Sequence, residues 1–521
     1  MRRLAFLVIV AVAAGCSSSS NPTGPHSPVP NIQFLTGNHQ TDSIFSTLPL
    51  ILKVKVNNPP HHQFAALQPI VFEAVSTYGN NVEAGIRPVG SSSNFAPALQ
   101  DTTNGLAEVS VQVVLGFAVG VAHIVVTVPA FGYVDTATFT VTPGRPYAMA
   151  TAPRDTLVYI GTALTMRSTV ADQVNNVLNE PVSYSIAAGS ATVSGAVVTP
   201  TALGTVSVVA SSGALADTTS ITAVPHGTLA AMGGQGIQLY HLDGSGASTV
   251  SPALRLYATS DLKWSPSGTL LVFDQTFLGG GQCMVSPGGI YTTDLTGAVT
   301  MIDSGASGSC DWFASYSRDG SWIYFARDDG YVSTLWRARA DGSATDSVPV
   351  APLAVGSQFY VYPSASPDGS QLAFSALVGN YTTSYDLRVA TIATGATRTL
   401  GVSGFSPTWS PTANQIAYIA NGGLSGPIDL INADGTLNRT LATGPYDYGM
   451  DWSPDGRYLV ARNDSSGYLD VIDVTTGARV SLPYSGSLRW PTWLPTVPTG
   501  AGSPQMQRPR DRPTLRAGAQ R

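Results

Sequence analysis

Apolar and polar residues alternate over short runs along most of the chain, with Gly, Pro and Asn between the runs. This two-residue period is typical of half-buried β-strands, and beyond the amino terminus no stretch follows the helical period. The pattern therefore predicts an all-β protein. Clear runs are Leu50–Val56, Ile70–Val75, Ala107–Val113, His123–Val128 and Ala137–Val141.

One short phrase recurs six times in the second half of the chain: an aromatic residue, Ser and Pro, often followed by Asp-Gly. Measured at the third position of the phrase, the steps are 52, 49, 44, 43 and 41 residues. A repeat of roughly 40–50 residues built from short strands is typical of a β-propeller. The copies begin at Trp264, Tyr316, Ala365, Trp409, Trp452 and Trp493.

The two ends of the repeat region complement each other. A strand and turn at Leu229–Gly244 precede the first full copy, whereas no strands follow the last copy, at Trp490–Pro495. The sequence thus predicts five whole blades and a sixth blade shared between the ends. A ring closed in this way leaves no long exposed sheet edge.

The spacing and the Ser-Pro-Asp-Gly phrase resemble the WD40-like repeats of TolB-type six-bladed propellers, over residues 227–495. Copies two and six depart from the phrase, at Arg318 and Leu494. The resemblance implies a ring whose face of loops binds a partner. The repeat residues expected to be structural are Trp264, Pro266, Asp319, Gly320, Pro367, Asp368, Gly369, Trp409, Pro411, Trp452, Pro454, Asp455, Gly456 and Trp493.

Two β-rich modules precede the repeats. Residues 31–144 resemble, around Asp101–Ala107, the bacterial Ig-like repeats of intimin and invasin stalks. Residues 146–225 resemble the group 2 bacterial Ig-like fold, around Gly195–Pro200 and Gly204–Ala210. We expect two sandwiches that act as spacers, with direct adhesion by these modules as the alternative.

The amino terminus has the pattern of an export signal. Arg2 and Arg3 precede the apolar run Leu4–Ala14, which is too short to span a bilayer as a helix. Small residues directly before Cys16 resemble the bacterial lipobox, which implies that residues 1–15 are removed and that Cys16 is acylated. Residues 16–30 then form a Ser- and Pro-rich tether, and Ser17 points to the outer membrane or cell surface. The alternative is plain secretion.

Cys283 and Cys310 are the two other cysteines, and both fall in the first complete repeat. In an exported protein an even pair predicts a disulfide. Two buried free thiols are the alternative.

Acidic residues are concentrated in the repeats. Residues 227–495 hold 21 Asp, no Glu and 13 Lys plus Arg, a net charge of −8, which disfavours nucleic acid as a partner. Residues 496–521 carry a net charge of +4 and are expected to be a disordered basic tail, either solvated or in contact with anionic lipid or polysaccharide.

The Asp residues of the repeats allow two interpretations. An Asp before Gly accepts hydrogen bonds from its own turn, so we expect turn residues and no cofactor. Calcium is the alternative, with Asp328 and Asp329 as weak candidate ligands. The recurring Trp residues are expected to pack between blades, whereas stacking on carbohydrate would require them to be exposed.

The sequence contains none of the hydrolase, metalloprotease, P-loop or dinucleotide-binding motifs. We therefore expect a non-enzymatic, lipid-anchored envelope protein that binds a protein or glycan. One alternative is a propeller enzyme, a glycan lyase or hydrolase, which two Asp from different blades converging in one pocket would favour. The other is a structural envelope protein without a specific ligand.

Overall fold

The structure, a computed structural model, describes residues 30–57, 65–78, 81–234, 236–250, 261–275, 289–305, 309–328, 332–350, 359–377, 385–421 and 425–495. These residues form strands and no helix, which confirms the predicted all-β class. No helix long and apolar enough to cross a membrane occurs in the described ranges. The described residues divide into two compact units, one with the chain up to Ala148 plus Val170–Asn179, the other with Met149–Thr169 and the chain from Glu180 onward.

The first unit contains a four-stranded and a five-stranded sheet that share one core. The orders are β1-β3-β9-β7 and β2-β11-β10-β4-β8. The strands are β1 (Ile32–Thr36), β2 (Thr41–Ser43), β3 (Leu52–Val56), β4 (Pro69–Ala74), β5 (Ser76–Tyr78), β6 (Asn81–Val82), β7 (Ala84–Pro88), β8 (Ala98–Thr102), β9 (Glu108–Leu115), β10 (Gly120–Val128) and β11 (Tyr133–Thr142).

Alternation in the sequence builds this core directly. Every second residue of β9, from Val109 to Leu115, is buried, and these side chains belong to the same cluster as Phe72 of β4 and Ile124 of β10. Burial of each such side chain stabilises the fold by about 1.5–3 kcal/mol. The core therefore lies between the two sheets.

A buried carboxylate helps to hold the segment Val170–Asn179 in the first unit. Asp172 is buried and accepts hydrogen bonds from the backbone N–H groups of Gly144, Val174 and Asn176, at 2.8–3.0 Å. The side chain of Asn176 donates both to Asp172 and to the carbonyl of Phe117. The loop is thereby held by bonds to charge, which are stronger than neutral ones.

The second unit begins with a small module of short strands. Its two sheets have the orders β13-β21-β20-β17 and β14-β19-β18, and a cluster that includes Val158, Val198 and Val208 lies in its core. The strands from this part of the chain are β12 (Ala148–Ala152), β13 (Thr156–Tyr159), β14 (Leu164–Thr165), β15 (Arg167–Ala171), β16 (Val177–Leu178), β17 (Ser183–Ala188), β18 (Ala191–Ser194), β19 (Val197–Pro200), β20 (Gly204–Ser212) and β21 (Leu215–Val224).

The rest of the second unit is built from four-stranded antiparallel sheets that follow one another along the chain. The strands are β22 (Thr228–Gly233), β23 (Gly236–His241), β24 (Ala247–Thr249), β25 (Leu262–Trp264), β26 (Leu270–Gln275), β27 (Gly289–Asp294), β28 (Val299–Asp303), β29 (Cys310–Tyr316), β30 (Trp322–Asp328), β31 (Ser333–Arg339), β32 (Thr345–Ser347), β33 (Phe359–Ala365), β34 (Gln371–Leu377), β35 (Tyr385–Thr391), β36 (Thr397–Trp409), β37 (Gln415–Ala420), β38 (Gly426–Asn432), β39 (Arg439–Trp452), β40 (Tyr458–Asn463), β41 (Leu469–Asp473), β42 (Arg479–Leu482) and β43 (Arg489–Trp493).

Strand order in this region is that of a β-propeller. β25 to β28 and β29 to β32 form two sheets in sequence order, and β33 to β42 form one continuous series. Within that series, β36 pairs with β35 through its first half and with β37 through its second half, and β39 is shared in the same way. The inner strands β25, β29, β33, β36, β39 and β43 contact one another in turn. We call this set of sheets the ring.

The last strand closes the ring. β43 pairs with β22, so that the sheet order is β24-β23-β22-β43. The N–H of Leu494 also donates to the carbonyl of Thr228. Strands from the two ends of the ring thus complete one sheet.

The small module of the second unit packs on the ring. Tyr159 stacks on His226 with ring centroids 4.3 Å apart, and Leu157 and Tyr159 join a cluster that includes Leu242 and Leu482. Burial and the nearby Asp243 raise the pKa of the Tyr159 phenol. Module and ring therefore share buried apolar surface.

Candidate functional site

The inner strands of the ring share one backbone irregularity. Three residues before each copy of the phrase, φ is positive, between 53° and 80°, and in five of the six strands the pairing register shifts there. Such an inserted residue is a β-bulge, which bends the strand and re-aims neighbouring side chains. The six residues are Asp261, Phe313, Tyr362, Ser406, Gly449 and Trp490.

Residues from all six inner strands line one cavity of about 430 Å³, which we call the cup. Its wall includes the residue directly before each copy of the phrase: Lys263, Ser315, Ser364, Thr408, Asp451 and Thr492. It also includes the third residue of each copy: Pro266, Arg318, Pro367, Pro411, Pro454 and Pro495. The cup therefore lies at the ring centre, where the repeats converge.

Polar groups of the cup wall link neighbouring sheets. The Ser315 hydroxyl donates to the carbonyl of Pro363, at 2.5 Å, and the hydroxyl oxygen of Ser364 accepts from the N–H of Trp409, at 2.9 Å. The Trp452 indole donates to the carbonyl of Thr408, at 3.0 Å. These bonds fix the spacing of the inner strands.

Three charged residues converge on one side of the cup. Lys263 Nζ donates to the carbonyl of Met450, at 2.8 Å, and lies 3.6 Å from Asp451 Oδ1 and 4.0 Å from Asp261 Oδ1. The other oxygen of Asp451 accepts from the Thr492 hydroxyl and from the N–H of Trp493, both at 2.8 Å. We call Asp261, Lys263 and Asp451 the charged triplet.

Burial sets the protonation of the triplet. Burial, only partly offset by Lys263, raises the pKa of Asp261 to about 6, and the charge of Asp451 adds to that effect. Burial opposes the charge on Lys263, but Asp451 and Asp261 outweigh it and hold its pKa above the usual value. Asp261 therefore titrates close to neutral pH while Lys263 stays charged.

Asp261→Asn is expected to stabilise the protein at pH 7.5 by about 1–3 kcal/mol, because one pKa unit corresponds to about 1.4 kcal/mol. The folded state holds the Asp261 proton more tightly than the unfolded state. Asp261 therefore contributes less to the free energy of unfolding as pH rises from about 4 to about 6. Above pH 6 its ionised carboxylate continues to destabilise the folded state. Urea unfolding at pH 7.5 and 4.5 measures the gain, which should shrink at the lower pH.

The matched control is Asp294→Asn. Asp294 is partly exposed, and the hydroxyl of Thr296 and neighbouring N–H groups lower its pKa, so its replacement should not stabilise the protein. An equal gain for Asp261→Asn at both pH values would show that the gain comes from the positive φ at this position, which Asn tolerates well, and not from the charge.

The aromatic residues of the phrase are buried between sheets. Trp264, Trp409, Trp452 and Trp493 are at most 6% exposed, and each belongs to a hydrophobic cluster with a neighbouring sheet. Their faces are therefore covered by protein.

The Asp residues of the phrase close their own turns. Asp319 accepts from the hydroxyl of Ser317, at 2.6 Å, and from the N–H of Ser321, at 3.0 Å. Asp368 makes the same two bonds with Ser366 and Ser370, and Asp455 makes them with Ser453 and Arg457. Gly320, Gly369 and Gly456 follow with φ of 70–72°.

Several predicted site residues lie outside the described ranges. They are Cys16, Cys283 and Asp329. Cys310 is disulfide-bonded and 4% exposed at the start of β29, but its predicted pairing with Cys283 stays a prediction. Asp328 is the last residue of β30, and among the described residues no group of three or more His, Cys, Asp or Glu could hold a metal ion.

Sequence reasoning overlooked the charged triplet. The available signal is the residue directly before each copy of the phrase, which is Ser or Thr in four copies but Lys263 and Asp451 in the other two. Asp261 is recognisable only once the shared positive φ is known, because its position holds six different residue types.

No family model matches the chain. An uncharacterized protein of Agrobacterium fabrum, Atu1656, is 30% identical over 171 residues, which cover 30% of this chain and 53% of the relative. The chain thus spans about half the length of that relative.

Several solved structures are similar at low identity. TolB from Acinetobacter baumannii is 17% identical with a TM-score of 0.42, covering 61% of this chain and 83% of that one. A nidogen/laminin complex is 12% identical with a TM-score of 0.40, covering 51% and 98%. An oligogalacturonate lyase in complex with manganese is 20% identical with a TM-score of 0.31, covering 43% and 64%.

Proposed function

We propose that this chain is a non-enzymatic binding protein of the bacterial cell envelope, anchored through an acylated Cys16 at the outer membrane or cell surface. Two Ig-like domains, at 31–144 and 146–225, carry a six-bladed propeller at 227–495. The propeller binds an envelope protein or glycan at its cup, and the chain acts without a cofactor.

Strand order supports the six-bladed description. β22 to β43 divide into six groups of four when the shared strands β36 and β39 are each counted in two sheets. The Ig-like description is supported by the two sheets around one core in the first module and by the short-stranded sheets of the second. The anchor rests on the amino-terminal sequence pattern alone.

The single observation that carries the binding role is the cup. A cavity of about 430 Å³ falls within the size range of sites that bind small molecules. Such sites combine apolar walls with a few polar groups that orient the ligand. Here the apolar part comes from Pro and Trp, whereas the polar part comes from hydroxyl groups and the charged triplet.

Thr408→Trp is expected to abolish binding at the cup, because Thr408 lines it and a larger side chain would fill it. The full chain, immobilised, is challenged with separated protein and glycan fractions of the envelope, and retention is followed by biolayer interferometry. Wild type should retain one fraction, and the variant should lose at least nine-tenths of the signal.

The control is Thr475→Trp, an exposed turn residue that does not line the cup. It should bind like wild type. Where Thr408→Trp lowers the melting temperature by more than a few degrees, Thr408→Met supplies a milder filling substitution. Unchanged retention in both Thr408 variants would place binding elsewhere and contradict the proposal.

One observation favours an enzyme as a second candidate. Asp261 and Asp451 come from different sheets and line the same cup, and each lies within 4.0 Å of Lys263 Nζ. Two carboxyl groups that face one cavity, one of them with a raised pKa, are found in glycoside hydrolases. However, the Lys263 ammonium is in contact with both carboxylates, which favours binding over turnover. If the wild-type protein released nitrophenol from nitrophenyl glycosides and Asp261→Asn did not, the enzyme would become the better-supported function.

A further inference from the structure

The charged triplet departs from what the ring itself requires. At the position directly before the phrase, the four other copies have Ser315, Ser364, Thr408 and Thr492, which are uncharged hydroxyl residues. A buried charge costs more to desolvate than a hydroxyl group, and it contributes little net stability even when paired. Lys263 and Asp451 therefore indicate a role beyond closing the ring.

The triplet also leaves hydrogen-bonding capacity unused. Within the described residues, Lys263 donates to the carbonyl of Met450 and lies 3.6 Å from Asp451 Oδ1, which leaves at least one of the three ammonium donors without a partner. Asp261 is 6% exposed and accepts one, from the N–H of Leu262 at 3.1 Å. The 4.0 Å between Lys263 Nζ and Asp261 Oδ1 is too long for a hydrogen bond between them.

A ligand atom that satisfies both groups must accept a hydrogen bond from the ammonium and donate one to the carboxylate. A hydroxyl group does both. A peptide N–H only donates and a peptide carbonyl only accepts, so each can serve one of the two partners.

We propose that Asp261 and Lys263 hold a hydroxyl group of a carbohydrate in the cup. This inference rests on the proposed function of the cup as the binding site and names the ligand class. The sugar hydroxyl accepts from Lys263 Nζ and donates to Asp261, and Asp451 keeps the ammonium in place.

The rest of the cup wall suits such a ligand. The hydroxyl groups of Ser364 and Thr408 lie in the same wall. A sugar carries several hydroxyl groups, and each can donate to or accept from a hydroxyl group of the protein.

The test measures binding of the intact chain to an array of defined mono-, di- and tetrasaccharides, with Kd for each positive sugar from calorimetry. The variants are Asp261→Asn and Lys263→Met, which remove one charge each. The control is Asp434→Asn, which removes an exposed turn carboxylate that does not line the cup. At least one sugar should bind, and both triplet variants should weaken it tenfold or more, with no change in the control.

Each other outcome overturns the inference in a distinguishable way. A sugar bound equally well by wild type and both triplet variants places the sugar elsewhere. Binding of an envelope protein that Thr408→Trp abolishes, without binding of any sugar, leaves the cup as the binding site but makes the ligand a protein. If Thr408→Trp binds sugar and protein as well as wild type does, the cup is not the binding site, and the proposed function and this inference are both wrong.

Discussion

Ending the chain at Gly486, before β43, is expected to abolish cooperative folding of the ring. The deletion leaves β22 as an unpaired edge and removes Trp493, which is 3% exposed in the cluster between the first and last sheets. Loss of a buried Trp alone costs about 3–5 kcal/mol, and small domains are stable by only about 5–15 kcal/mol. Near-ultraviolet circular dichroism during urea unfolding measures the loss.

The control is a chain that ends at Pro495, so that the two proteins differ only in residues 487–495. It should unfold with the midpoint of the full chain. A sharp transition in the shorter chain, at an unchanged midpoint, would show that the pairing of β43 with β22 does not hold the ring closed.

Asp451→Ala is expected to destabilise the protein by about 3–5 kcal/mol, the usual cost of leaving a buried charge without its partner. Asp451 joins three sheets, because it accepts from Thr492 and Trp493 of β43 and lies 3.6 Å from Lys263 of β25. Without Asp451, Asp261 is the remaining carboxylate of the triplet beside the Lys263 ammonium. Urea unfolding at pH 7.5 measures the change in the free energy of unfolding.

Asp455→Ala is the matched control in the same sheet. Asp455 is exposed and bonds only within its own turn, so about 1 kcal/mol should be lost. The double variant Asp451→Ala with Lys263→Met should recover part of the loss, because the unpaired charge is gone. Equal losses in Asp451→Ala and Asp455→Ala would contradict a closing role for Asp451.

The repeat phrase was sufficient to predict the ring because each copy sits at an equivalent place. Turns such as Asp319-Gly320 and apolar strands such as Ile416–Ile419 are local features, and the structure has them at the expected positions. The complementary fragments at 229 and 493 likewise meet in one sheet, where Leu229 lies opposite Trp493. Local patterns repeated in register carry this information.

The candidate site could not be predicted in the same way. Asp451 is 188 residues from Lys263 in sequence, and closure of the ring brings the two together. Asp261 has a positive φ, but the equivalent positions of other copies hold residues as different as Phe313, Ser406 and Trp490. Contacts between remote strands, rather than local preference, determine this part of the molecule.

The contact between the small module and the ring was also absent from the sequence pattern. Tyr484 lies far from Leu157 and Tyr159 in the sequence, and none of the three belongs to a motif. In the structure they belong to one apolar cluster, and the Tyr484 hydroxyl donates to the carbonyls of His241 and Leu242. An interface of this kind arises from surfaces far apart in sequence, so periodicity within a strand does not reveal it.

The position of β22 in the closing sheet determines how the ring bears mechanical load. The chain enters the ring through β22, which lies between β23 and β43 and pairs with both. A pull on the chain before Thr228 therefore acts along a central strand and shears two rows of hydrogen bonds at once. An edge strand pulled from its end would instead lose its bonds one at a time. A protein held by its amino-terminal side in flowing liquid would keep its ring intact at forces that peel an edge strand away.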